Sequence, residues 1–330
     1  MPENLSDTFP RLLGDIGGTN ARFAMQLSKG GPLSEPHVLQ CNEFAEPAEA
    51  IEQYLELTGM PHPRWVALAI ATPIAGDILS MTNNGWKFSI RELGEKLSVS
   101  HLRMLNDFTA LALALPLLRA DDLLQIGTGT SEPGKSIGLI GPGTGLGVSG
   151  LIPTSHGYVA IEGEGGHVTL PAFNAREAEL ISLAKKRVNH LSAERLLSGS
   201  GLSLLYEVIA ESGGYVHETL QPDEISQRGI DGSCLICRET LDTFCAFLGT
   251  VAADLALVLG ARGGVYIGGG IIPRLGAYFV SSPFRKRFEE KGRFSGYLSE
   301  IPTWVIKAPW PGLIGAANSL DEDAAKLGII

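Results

Sequence analysis

Gly14-Asp15-Ile16-Gly17-Gly18-Thr19-Asn20 decides the reading of this chain. An apolar run, Arg11–Leu13, leads into it and a second, Arg22–Leu27, leaves it, so the glycines sit in a turn between two strands. Successive glycines allow φ > 0 and bring several N–H groups to one side, an arrangement suited to phosphate. An aspartate at the end of the first strand can face Mg²⁺ directly or through water, and Thr19 can donate to a phosphate oxygen. Read alone, the segment also fits a hairpin turn with a solvated aspartate, the weaker of the two readings.

The pattern recurs. Ser136–Ile140, Gly141-Pro-Gly143-Thr144-Gly145-Leu-Gly147 and Val148–Ile152 repeat the order strand, glycine turn, strand. A third glycine turn, Gly268-Gly269-Gly270, follows the run Val265–Ile267 and leaves room for a flat base and ribose. The repetition predicts a weak internal duplication, one copy per domain, with a nucleotide held in a cleft between the two. No Gly-x-x-x-x-Gly-Lys-Ser/Thr occurs, and the first turn lacks the Gly-x-Gly-x-x-Gly order, which excludes a P-loop and a dinucleotide fingerprint.

Around these turns the chain alternates short apolar runs with helical spacing. Residues 46–58 and 108–118 read as helices, Trp65–Ala71 and Leu102–Leu105 as strands, and 175–187, 203–212 and 234–260 as helices. The tail from Pro311 looks like a helix start that packs back on the first domain. The expected division is 1–117 with 308–330 as a small α/β domain and 118–307 as a large one.

Asn106-Asp107-Phe108-Thr109 follows the run Leu102–Leu105 and precedes an apolar helix. A carboxylate there projects from a strand end, where open α/β sheets hold ligands, and one carboxylate suffices to accept a hydroxyl proton in phosphoryl transfer. The competing reading makes Asp107 a helix N-cap. Glu162-Gly-Glu164-Gly-Gly-His167 gathers acids and an imidazole able to hold vicinal sugar hydroxyls, a metal site being the competitor. Ser192-Ala-Glu194-Arg195 reads as the opening of a helix, with Ser192 as cap and Glu194 as a first-turn acid.

Composition narrows the classes. With 330 residues, 44% hydrophobic, the chain can bury two cores. Its 41 glycines exceed the usual share of about 7%, so backbone must approach something closely at several turns. A net charge of −10 argues against nucleic acid as a partner, though not against nucleotides. Met1–Pro10 has no secretory pattern and no apolar run approaches the ~20 residues of a membrane span, so a cytoplasmic protein is expected. Four cysteines, one pair as Cys234-x-x-Cys237, are too few for a disulfide framework and read as reduced thiols.

Taken in order, the motifs from Gly14 to Arg22, Asn106 to Phe108, Gly141 to Gly147, Glu162 to His167, Ser192 to Arg195 and Gly263 to Gly270 closely resemble the bacterial glucokinases of the proteobacterial type. The likeness runs from about residue 10 to residue 318. It implies an actin-like ATPase (ribonuclease H-like) α/β fold with two domains, a homodimer, and ATP, Mg²⁺ and glucose as ligands. By the same likeness Asp107 is the base, and Asn106, Asp107, Glu164, His167 and Glu194 bind glucose. Gly14, Asp15, Ile16, Gly17, Gly18 and Thr19, with Gly143, Thr144, Gly145 and Gly269, hold the nucleotide, Asp15 meeting Mg²⁺ through water. The related repressor and kinase family carries a cysteine-rich zinc motif that this chain lacks, so no structural zinc is expected. Sugar-sensing repressors of the same fold carry a DNA-binding domain before the first glycine motif, where this chain has 13 residues. An actin-like filament protein would have no use for the Glu164, His167 and Glu194 set.

Overall fold

The structure, a computed structural model, describes residues 8–81, 84–155 and 157–329. It divides into two compact units, residues 1–118 with 308–330 and residues 119–307. In the first unit the opening hairpin is β1 (Arg11–Ile16) and β2 (Asn20–Gln26), joined to β3 (His37–Gln40), β4 (Trp65–Ile70) and β7 (His101–Asn106) in the order β3-β2-β1-β4-β7. A two-stranded ribbon, β5 (Ile78–Ser80) and β6 (Lys87–Ser89), completes its strands. Its helices are α1 (Pro47–Thr58), α2 (Ile90–Lys96), α3 (Asp107–Ala114) and, from the far end of the chain, α12 (Pro311–Lys326).

Side chains alternate across a strand, and β1 shows what that achieves. Leu12 and Ile16 enter one core with Phe23, Tyr54 and Trp86, while Leu13 enters another with Trp65 and the α12 residues Leu313, Ala316 and Leu320. Asp15, two residues beyond Leu13, therefore lies on the α12 face. The apolar stripe of α12 recurs at 313, 316/317, 320 and 324, helical spacing, and each buried leucine contributes about 1.5–3 kcal/mol. Buried Arg11 joins the same face through a 2.7 Å ion pair with Asp321, and His101 Nε2 lies 2.9 Å from an Asp323 carboxylate oxygen. Where α12 crosses α3 the backbones nearly touch: a Cβ on Gly315 would lie 1.7 Å from the carbonyl oxygen of Ala110.

The second unit repeats the plan. The hairpin β9 (Ile137–Pro142) and β10 (Leu146–Thr154) continues into antiparallel β11 (Gly157–Ala160), while β12 (Val265–Ile267) and β13 (Thr303–Ile306) run parallel to β9. The order is β11-β10-β9-β12-β13-β8, with β8 (Leu123–Ile126) as an added edge. The first five positions reproduce the first sheet strand for strand, so the duplication legible in the two glycine hairpins extends through five strands. Helices α4 (Ala175–Lys185), α5 (Gly199–Ser212), α6 (Pro222–Ile230), α7 (Leu235–Leu259), α8 (Ile271–Leu275), α9 (Ala277–Ser281), α10 (Phe284–Glu289) and α11 (Ser295–Ser299) belong to this unit. By length and composition α7 could cross a membrane, but 67% of its most apolar window is buried, the pattern of a core helix. A buried Arg287–Glu177 pair at 2.6 Å ties α10 to α4.

Several expectations change. Gly14, Asp15 and Ile16 are strand residues, and only Gly17-Gly18-Thr19 makes the turn; likewise Gly143-Thr144-Gly145 alone separates β9 from β10. None of Gly14, Gly17, Gly18, Gly143 or Gly145 has positive φ, whereas Gly269 does, at 78°. At Gly14 the requirement is space, since a Cβ would lie 2.6 Å from Leu68 Cδ2. Ser192–Arg195 forms a bridge and turns rather than a helix; the next helix, α5, starts at Gly199 behind its cap Ser198. Helix α6 was absent from the sequence reading, although Pro222 at its first position followed by Asp223 and Glu224 is a helix-start signal.

Candidate functional site

One group of candidate residues lies at one end of the first unit's sheet. Asp15 stands on β1, β4 runs beside it, and β7 delivers Asn106 and Asp107 to the start of α3. The helix cap is Asn106, not Asp107: Asn106 Oδ1 accepts from the amides of Phe108 at 2.9 Å and Thr109 at 3.3 Å. Asp107 is thereby released from capping, although its Oδ1 also accepts from the Phe108 amide at 2.9 Å. Burial pushes its carboxyl up to about 6, the Phe108 amide pulling it back and the charge of Asp15 adding to the rise. Burial likewise raises Asp15, against the pull of Arg22, whose Nη1 lies 3.6 Å from Oδ2.

The turn beside Asp15 is braced from behind. The Gly17 amide donates to Asn20 O at 2.9 Å and the Gly17 carbonyl accepts from Asn84 Nδ2 at 3.4 Å and Cys41 Sγ at 3.6 Å. This spends the Gly17 amide inside the turn and leaves those of Gly18 and Thr19 without an acceptor among the described residues. The side chain of Ile16 is wholly buried, so of the residues 14–19 only Gly18 and Thr19 keep amides without an acceptor among the described residues. Gly312, in the first turn of α12, approaches from the other side, within 3.4 Å of Asp15 Cγ for an added Cβ.

A second group of candidate residues lies wholly in the second unit. The Gly143 amide closes on Gly145 O at 2.8 Å and the Gly143 carbonyl accepts from Gly199 N, the first residue of α5, at 2.9 Å. Gly143 and Thr144 then line a cavity of about 1180 Å³ together with Gly270, Ser226, Gln227 and Arg274. That volume accommodates a nucleotide. Gly145 and Gly269 do not line it. A Cβ on Gly269 would lie 2.3 Å from Pro142 O, so this glycine serves the packing of the third turn against the second. Sequence reasoning missed the contributors from α6 and α8, where Arg274 Nη1 lies 3.1 Å from Asp223 Oδ1.

The backbone brings the segments carrying Glu164, His167 and Glu194 together, by a mechanism the sequence does not announce. Residues 165–167 form a tight turn whose Gly166 would place a Cβ 2.0 Å from Leu146 O, so no other residue fits there. The Glu194 amide donates to Gly166 O at 2.9 Å, and Ala193 N donates to Val168 O at 2.8 Å. Glu194 Oε2 accepts from the Leu146 amide at 2.9 Å, pinning the β9–β10 turn to the same spot. Glu164 and His167 are exposed, their nearest oxygen and nitrogen 4.0 Å apart. Among the described residues no group of three or more His, Cys, Asp or Glu is placed to hold a metal, and the Cys234 thiol instead accepts from the Cys237 amide as the cap of α7.

Two sheets of ribonuclease H-like order, a shielded carboxylate beside a glycine turn, and a nucleotide-sized cavity beside another define a phosphotransferase of the actin-like ATPase class. The family model described as Glucokinase matches residues 12–323. The chain is 53% identical over 326 residues to the glucokinase of Aromatoleum aromaticum, covering 98% of each, and 47% identical over 325 residues to that of Chromobacterium violaceum, covering 98% of this chain and 93% of the other. It superimposes on the crystal structure of a glucokinase from an Antarctic psychrotroph with a TM-score of 0.87 at 36% identity, covering 95% and 99% of the two chains. It shares the fold of a ROK family glucokinase from Streptomyces griseus, solved with glucose and AMPPNP, at a TM-score of 0.64 and 17% identity, covering 94% and 98%. The chain belongs to the glucokinase family.

Proposed function

We propose that Asp107 is the base in the transfer of the γ-phosphate of ATP to the 6-hydroxyl of glucose, the reaction of this family of ATP-dependent hexose kinases. The observation that supports the assignment most is the carboxylate itself: relieved of capping by Asn106, half-buried, and pushed up to about 6. A base of that strength is ionised at neutral pH yet keeps more affinity for a proton than an ordinary carboxylate. Asn106, its Oδ1 committed to the cap, offers Nδ2 to a sugar hydroxyl. Glu164 and His167 take vicinal hydroxyls, and Glu194 shares its carboxylate between the Leu146 amide and the sugar.

The amides of Gly18 and Thr19 and the Thr144 hydroxyl receive phosphate oxygens, and the cavity beside α6 receives the base and ribose. The donors fit Mg²⁺, which binds through one or two carboxylates plus substrate phosphates rather than in an all-protein cage; here that carboxylate is Asp15. Mg²⁺ supplies charge neutralisation on the transferring group. A two-domain arrangement around the sugar, a homodimer and a cytoplasmic site of action rest on the family likeness, and light scattering tests the dimer. A coupled assay over a panel of hexoses with several phosphoryl donors tests the function: turnover on glucose with ATP is expected, and no turnover on any hexose defeats it.

A further inference from the structure

Trp310, the residue that leads into α12, sits at φ 52°, ψ 46°, the left-handed region. Glycine or asparagine occupies that region easily, whereas a bulky side chain there is an outlier. Pro311 follows, and a residue before proline is pressed toward extended backbone, so the conformation is disfavoured twice. Strain of this kind persists where something nearby requires the side chain.

What the ring touches is Arg22. The guanidinium carbon lies 5.2 Å from the ring centroid, within cation–π reach. Arg22 Nε is buried without a hydrogen-bond acceptor, and its one ion pair among the described residues is with Asp15, at 3.6 Å. The guanidinium is thus held by an aromatic face and a charge, with no hydrogen bond to fix its angle among the described residues. Around Asp15 stand Arg22 from β2, Asp107 from the start of α3 and Gly312 from α12; Cys41 lies near enough to Arg22 to feel its charge. Only Arg22 among them is cationic.

We propose that Trp310 is a positioning residue for phosphoryl transfer, its ring holding Arg22 beside Asp15 so that Asp15 stays in place for the metal-bound nucleotide. This rests on the reading of Asp15 as the residue that meets Mg²⁺. Trp310→Gly removes the ring and relieves the backbone; Trp310→Phe keeps a face. The glycine variant is expected to melt no lower than the native chain. Its dissociation constant for Mg–ATP, measured by calorimetry without sugar, rises about 3- to 30-fold and kcat falls with it, while KM for glucose holds. The phenylalanine variant stays within about threefold of native. In an Arg22→Met background the Trp310→Gly effect vanishes, because the ring acts through the guanidinium.

Three results overturn the proposal: full multiplication of the two effects, weakening of glucose as much as nucleotide, or a glycine variant that melts several degrees lower. Asp15→Asn separates the underlying reading. If it leaves Mg–ATP affinity unchanged, the metal assignment falls; if it weakens affinity while Trp310→Gly does not, only the role of Trp310 falls.

Discussion

Replacing Asp107 by asparagine removes a charge from surroundings that disfavour it while keeping the shape of the side chain and an oxygen for the Phe108 amide. The folded carboxyl titrates at about 6 against 3.8 for an ordinary aspartate, a gap of about two pH units. Because the folded value is raised, the native chain holds an extra proton between those two values, and its stability falls as pH climbs from about 4 to about 6. Above both values the accumulated cost approaches about 3 kcal/mol, reduced by whatever water reaches the carboxyl. Asp107→Asn should therefore stabilise the protein by about 1–3 kcal/mol at pH 8, and by about half as much at pH 5. Turnover should fall about 10²- to 10⁴-fold. Differential scanning calorimetry at the two pH values, with a coupled assay of the same preparations, reads both. A variant less stable than native at pH 8, a gain that does not change with pH, or near-native turnover would refute the reasoning.

The same group predicts that kcat/KM for glucose rises with pH through about 6 and levels off above it, a limb that a pH–rate series measures and that Asp107→Asn abolishes. Glu194→Gln, which can still accept from the Leu146 amide, should raise KM for glucose less than Glu194→Ala, which leaves that amide bare; equal effects would argue against the pinning role. Gly315→Ala forces a methyl against the Ala110 carbonyl and should destabilise by about 3 kcal/mol or more, seen as a lowered melting temperature. Glu177→Ala removes the closest acidic partner of buried Arg287 and leaves it Glu290 at 3.6 Å, with an expected loss of about 2–4 kcal/mol in urea unfolding and little change in KM.

The strand–glycine–strand units were legible because apolar runs and glycines are local signals, and so was the carboxylate at the end of β7. What the glycines are for was not legible. Their frequency suggested unusual φ angles, yet Gly14 and Gly166 are crowded by neighbours distant in the chain, namely Leu68 and Leu146. The Ser192-Ala-Glu-Arg195 pattern imitates a helix start, but its amides pair with residues 166 and 168 instead, a tertiary choice no propensity records. Arg22 and Trp310 meet across almost the whole sequence, so their stacking left no mark on local spacing.

The seating of α12 has a consequence for how the chain is made. The first unit contains both the first strand and residues 311–326, and helix α3, which opens with Asp107, lies against Gly315. As the ribosome delivers the chain from its amino end, residues 119–307 are complete as a unit before the sheet that carries Asp15, and leads into Asp107, has its last strand-covering helix. The unit begun first is thus finished last, and the helix that opens with Asp107 gains its close-packed neighbour only when synthesis has passed α12.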